Sequence, residues 1–211
     1  MPIRCSDWHF LLLLVKYSGQ IIDIQPCFVN LTNMEHLEIS GTIVHPGTEE
    51  LIRLNVGRLP SDTPIQIRAH VFRSKQAGPT VLAMGGVHGD EINGVEIVRR
   101  LIAHGTFRNI TRGTVIAIPL LNIYGFINFS REVPDGKDVN RSFPGSKKGS
   151  LASRFAFYLL KEIMPHIDYA IDFHAGGASR FNAPQIRIVP KNAELKKLAD
   201  IFQAPFGLYS K

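Results

Sequence analysis

Residues 80–102 read TVLAMGGVHGDEINGVEIVRRLI, and two periodicities meet within them. Residues 80–84 form a continuous apolar run, the pattern of a strand buried on both faces. From Ile92 onward, Ile92, Val95, Ile97, Val98, Leu101 and Ile102 recur at helical spacing, and the pattern ends near His104 and Gly105. Between the two lies a glycine-rich turn that carries a histidine and two acids.

The same alternation continues downstream. Residues 114–120 read as a second buried strand, and 151–164 as a helix with Leu151, Phe155, Tyr158, Leu159 and Ile163 on one face, stopped by Pro165. Residues 168–173 and 185–189 are a third and a fourth strand, and 193–202 a last helix. The irregular stretch 122–150 is too long for a plain connector and is a candidate functional loop. Upstream, the short runs 37–44, 51–58 and 65–72 are separated by turn residues and predict an antiparallel β lead-in over 34–76. The whole predicts an α/β fold: a mixed, centrally parallel sheet flanked by helices over 77–211, after the lead-in. Residues 1–33 hold the only Trp and both Cys and show no period, so they are expected to be an extension outside the domain, with Met34 opening the fold.

The bulk numbers exclude several classes. A chain of 211 residues that is 45% apolar and 20% charged can fill a core and is neither disordered nor fibrous. The net charge of +6 is not gathered into a long basic run, which argues against nucleic acid and suits a solvated surface or a pocket for anionic small molecules. Cys5 and Cys27 make no disulfide framework and no CxxC pair, as expected of a reducing, cytoplasmic setting. The apolar run 10–15 falls far short of the roughly 20 residues that cross a bilayer, so no membrane association is expected.

Sheets of this kind carry ligand sites at the carboxyl ends of their strands. His88 follows the strand 80–84, and His174 follows the strand 168–173. Glu91, three residues after His88 at the turn-to-helix junction, can point at the same place, helped by Gly85, Gly86 and Gly89. An isolated HxxE is more often a turn histidine followed by an acid favoured by the helix dipole, and a lone His174 more often a core or cap residue. The second histidine, at a neighbouring strand end and also followed by glycines, favours a metal. Two His and one carboxylate are the ligand set of a catalytic zinc that keeps a fourth position for water. Asp172 lies two residues before His174 and either orients its ring or is a buried strand-end acid. In the long loop, Arg131, Asn140 and Arg141 supply two guanidinium groups and an amide, suited to a carboxylate, although solvated arginines would look the same.

Taken in order, GGVHGDEINGVE (85–96), DVNRSFPG (138–145) and IDFHAGG (171–177) resemble the succinylglutamate desuccinylase/aspartoacylase family, relatives of the zinc carboxypeptidases. The resemblance implies a carboxypeptidase-like fold and one zinc ion on His88, Glu91 and His174. It also implies that Asn140 and Arg141, and less securely Arg131, bind a small acidic acylated substrate. The implied reaction is hydrolysis of the amide bond of an N-acyl amino acid or a related acylated amine. Family members carry the general-base glutamate on a strand well downstream of the second histidine. Here the only later acids are Glu194 and Asp200, in a helix that reads as surface, so no catalytic base is assigned. The expectation is the metal-binding portion of a longer hydrolase, which binds zinc and hydrolyses little. The alternatives are an inactive zinc- and carboxylate-binding module and a carboxypeptidase-type peptidase.

Overall fold

The computed structural model describes residues 11–14, 37–178, 180–188 and 193–209. In chain order the strands are β1 (Leu11–Leu14), β2 (Leu37–Ile39), β3 (Thr42–Val44), β4 (Glu49–Arg58), β5 (Pro64–Arg73), β6 (Thr80–Gly85), β7 (Thr114–Ile118), β8 (Tyr169–His174), β9 (Gln185–Ile188) and β10 (Phe206–Tyr209). The α-helices are α1 (Ile92–Ala103), α2 (Ile123–Ile127), α3 (Leu151–Tyr158) and α4 (Ala193–Phe202). Eight strands form one mixed sheet in the order β10-β9-β1-β8-β6-β7-β5-β4, and β2 pairs with β3 in a separate hairpin. The centre is parallel, β6 lying between β7 and β8, while β5 joins β7 antiparallel and β4 joins β5 antiparallel.

Strand alternation sorts the side chains onto two layers. On β7, every residue of which is buried, Ile116 and Ile118 join the core beneath α3, where Ala152 and Phe155 also lie. Val115 and Ala117 join the opposite core with Val98 of α1, Leu195 of α4 and Phe173 of β8. The sheet is therefore covered on both faces, which is why its central strands read as apolar runs rather than as alternation.

Several expectations change in detail. The run 37–44 is a hairpin rather than one strand, because Ser40 and Gly41 both take left-handed conformations at φ 50° and 80°. The two long strands of the lead-in are continuous with the main sheet through the pairing of β5 with β7. The helix predicted over 151–164 is α-helical to Tyr158, then continues as a π turn (Leu159–Ile163) and a 3-10 turn (Met164–His166). Helix α2 and strand β10 are not among the expected elements, being a five-residue helix and a four-residue strand without a measurable period. Four residues of the segment 1–33 stand inside the sheet, β1 running antiparallel to β8 and parallel to β9. The rest of that segment lies outside the described residues. Among the described residues no helix is long and apolar enough to cross a membrane.

Helix α1 meets β8 without a spacer side chain. A Cβ on Gly94 would lie 2.2 Å from the carbonyl oxygen of Phe173, the residue next to His174. Gly94→Ala must push α1 off the strand, and the expected cost is about 2 kcal/mol of stability, in the range of overpacked cores. Urea denaturation of the two proteins at one pH checks this; an unchanged midpoint would show that the helix is not seated so closely.

Candidate metal centre

The parallel pairing of β6 with β8 sets Gly85 beside Phe173. His174 is then the last residue of β8, and His88 sits on the turn that leaves β6. That turn opens with Gly86 in the left-handed region at φ 65°, a conformation glycine takes without penalty. It is anchored from the segment that follows β7, where Leu121 and Asn122 donate their backbone N–H groups to the carbonyls of Gly85 and Gly86. Glu91 occupies the N-cap position of α1 with its side chain turned away from capping.

The carboxylate of Glu91 lies between the two rings. Its Oε1 is 2.9 Å from His88 Nδ1 and its Oε2 is 2.8 Å from His174 Nδ1. The ring centroids are 5.0 Å apart. His88, Glu91 and His174 are 3%, 5% and 5% exposed, and their ligand atoms all fall within 4.8 Å of one another, so the set could hold a metal ion. Nothing apolar about such a place favours three polar groups without a cation or protons among them.

Each ring is held from its far side as well. His174 Nε2 lies 2.8 Å from Asp172 Oδ2, itself 3% exposed. His88 Nε2 lies 3.4 Å from Asp138 Oδ1 and 3.2 Å from Asn140 Nδ2. Arg131 Nη1 lies 3.2 Å from His88 Nδ1 and 3.6 Å from Glu91 Oε1, and its Nε donates to Asp138 Oδ2 at 2.9 Å. A lone pair on His88 Nδ1, the form that ligates a metal, leaves the ring proton on Nε2 facing Asp138. The two rings thus share one plan, Nδ1 inward and Nε2 toward an aspartate, the arrangement that fixes tautomer and aim in metal-binding histidines.

The structure brings together His88, Glu91, His174, Arg131 and Asn140 from the sequence-derived set. Arg141 follows Asn140 on the 3-10 turn Val139–Arg141, exposed and without an ion pair among the described residues. Asp138 is the residue that sequence reasoning passed over. It accepts from the N–H of Asn140 at 2.8 Å and so caps that turn while gripping Arg131. Its sequence signal is modest, an Asp two residues ahead of an Asn within a basic loop.

Proton affinities follow from these contacts. Burial works to raise the Glu91 carboxyl, but hydrogen bonds from His174 and His88 outweigh it and hold the group well below the usual carboxylate range. Burial works to lower His174, but the charge and hydrogen bond of Asp172, with Glu91, push it up to about 10. Burial likewise opposes ionisation of Asp138, and the Asn140 N–H with the charges of His88 and Arg131 prevails, lowering it.

Residues 77–209 match the model of the succinylglutamate desuccinylase/aspartoacylase catalytic domain. Over 101 residues the chain is 37% identical to an N-alpha-acetyl-L-2,4-diaminobutyric acid deacetylase of Halomonas elongata, covering 47% of this chain and 29% of that one. It is similar to the structure of an aspartoacylase family protein of Mesorhizobium loti, with a TM-score of 0.70 at 26% identity over 83% of this chain and 57% of that one. It is also similar to a succinylglutamate desuccinylase/aspartoacylase of Rhodobacter sphaeroides, with a TM-score of 0.64 at 30% identity over 76% and 50%. The chain thus spans about half the length of these solved relatives and less of the deacetylase.

A proton on His174 Nδ1 competes with a metal. The folded group titrates near 10 against an ordinary 6.5, so its stabilising effect on the metal-free protein is fully present below about pH 6.5 and is lost as pH rises through about 10. Metal affinity must move the other way, rising by about tenfold per pH unit for each proton displaced between pH 6.5 and 8.5. Asp172→Asn removes the group that raises the ring and should flatten this slope. Zinc titrations against a competing chelator at three pH values measure both; a slope equally steep in the variant would contradict the role given to Asp172.

Proposed function

Because this chain belongs to the succinylglutamate desuccinylase/aspartoacylase family, we propose that His88, Glu91 and His174 hold one zinc ion and serve hydrolysis of the amide bond of an N-acyl amino acid or a related acylated amine. The observation that carries the reading is the convergence of two Nδ1 atoms, delivered from two neighbouring strand ends, on the two oxygens of a single buried carboxylate. The donor set, two imidazoles and one carboxylate, is that of a catalytic rather than a structural zinc. Zinc bound there supplies Lewis acidity to a carbonyl oxygen and lowers the pKa of a water to near neutrality.

The protein's own groups divide the remaining work. Arg131 is already tied to Asp138 and stands beside Glu91 and His88, so it is fixed where negative charge on a tetrahedral carbon's oxygen would need a donor. Arg141 is exposed and free of an ion pair among the described residues, on the turn whose Asn140 touches His88. Its planar fork suits the carboxylate of an acylated amino acid. The Halomonas relative, named for an acetylated diamino acid, supports this substrate class. A cytoplasmic setting, small-molecule substrates and independence from nucleic acid and membrane belong to the same reading.

One observation favours a second reading, a zinc- and carboxylate-binding module without turnover. The carboxylates bonded to the cluster are all committed: Glu91 to both rings, Asp172 to His174, and Asp138 to Asn140 and Arg131. None of them is placed to take a proton from an attacking water at neutral pH.

The experiment is to load the metal-free chain with zinc, count the metal, and follow amine release from N-acetyl amino acids, N-acetyl-diaminobutyrate included. The expected outcome is one zinc per chain and slow, zinc-dependent release. Glu91→Ala should lose metal and release together while remaining folded. Arg131→Ala should lower kcat by about a hundredfold or more, as for loss of an oxyanion donor, whereas Arg141→Ala should chiefly raise KM. A chain that takes up no zinc defeats the reading; zinc uptake with no release selects the module.

A further inference from the structure

Two consecutive acids, Asp90 and Glu91, reach from the turn after β6 to the loop that leaves β8. Glu91 Oε2 accepts the N–H of Ala175 at 3.0 Å, at the start of that loop. Asp90 Oδ2 accepts the N–H of Ala178 at 2.9 Å, at its far side. Ala178 is held in the left-handed region at φ 54°, a conformation that is costly for a residue with a Cβ and persists only when its surroundings impose it. The carboxylate of Asp90 also lies so close over the loop that a Cβ on Gly177 would sit 2.6 Å from Oδ2. Its other oxygen, Oδ1, is buried and finds no partner among the described residues. A carboxylate retained in that state costs stability, and the contact it maintains is the physical reason left for keeping it.

We infer that Asp90 is a positioning residue for the metal: it clamps the Ala175–Ala178 loop and so fixes the direction of His174. Glu91 cannot do this alone. Once its oxygens serve as ligands, its hold on Ala175 is shared with the ion, whereas Asp90 has no second duty. The loop begins at the residue after His174, so a loop released at Ala178 lets the end of β8 turn, and with it the ring. Asp172 fixes the same ring about its Nε2 side; Asp90 fixes the backbone on which the ring stands. The inference rests on the metal reading above.

The clamp is tested by zinc affinity and by the visible spectrum of the cobalt-loaded protein, neither of which requires turnover. Asp90→Ala should weaken zinc binding by about 10- to 100-fold, the range seen when groups supporting metal ligands are removed, and should alter the cobalt spectrum. Asp90→Asn keeps an oxygen for the Ala178 N–H and should stay within a few fold of the parent in both measurements. Gly177→Ala attacks the same contact from the loop side and should weaken zinc alone, yet add little in the Asp90→Ala background, where its clash is gone. Equal zinc affinity in the parent, Asp90→Ala and Gly177→Ala proteins overturns this inference and leaves the metal site standing. An Asn variant as impaired as the Ala variant also overturns it, since charge rather than the clamp would then matter. A parent chain that binds no zinc overturns the metal reading and this inference with it.

Discussion

Burying a carboxylate between two imidazoles is unfavourable unless something positive lies between them, and that constraint organises this molecule. The Glu91 side chain is almost wholly removed from water, and its two oxygens face Nδ1 of His88 and of His174 at hydrogen-bond distance. In low-dielectric surroundings the group must be neutralised by protons on the rings or by an ion. Without an ion, Asp172 keeps the proton on His174 well above its ordinary titration range. In the proposed metal-bound form, an ion would take the place of these protons, and the flanking aspartates would serve either state.

The sheet makes this juxtaposition possible. His88 and His174 are 86 positions apart, and only the parallel pairing of β6 with β8 brings their strand ends to one edge. The close seat of α1 on β8 at Gly94 then sets where Glu91, at the head of that helix, can reach. Two covered faces hold the register: Ile116 and Phe155 on one side, Val98 and Phe173 on the other. A register slip would send each of these to the wrong layer, so the packing that stabilises the fold also aims His88, Glu91 and His174.

Much of this was legible in the sequence, for reasons that can be named. The helix α1 showed because its apolar residues keep one face over three turns, and β7 because five consecutive buried residues cannot be anything exposed. The triad showed because both histidines stand at strand ends among glycines. What stayed hidden depends on neighbours rather than on period. Alternation in β4 and β5 told which face is buried but not that β5 pairs with β7. The five residues of α2 and four of β10 are too short to establish a period, and β10, exposed throughout, carries no burial signal. Asp138 reads as one more loop acid until the chain folds and sets it between His88 and Arg131.

If the cluster holds a metal as proposed, the long loop 122–150 separates recognition from metal binding within one centre. Asn122, fully buried, accepts from the Gly125 N–H to start α2 and contacts the Arg131 carbonyl at 3.4 Å, while its own N–H reaches back to Gly86 in the ligand turn. Arg131 is thereby tied to the His88 side at both ends, through its backbone to Asn122 and through its guanidinium to Asp138 and His88. Arg141 has no such ties, and the capped turn that carries it fixes its backbone but leaves its head free. A group already committed cannot be the one that selects a substrate carboxylate, because its own ion pair would have to break first. In the proposed reading, charge selection would fall to Arg141 and charge stabilisation to Arg131, a division that follows from which guanidinium the aspartate holds.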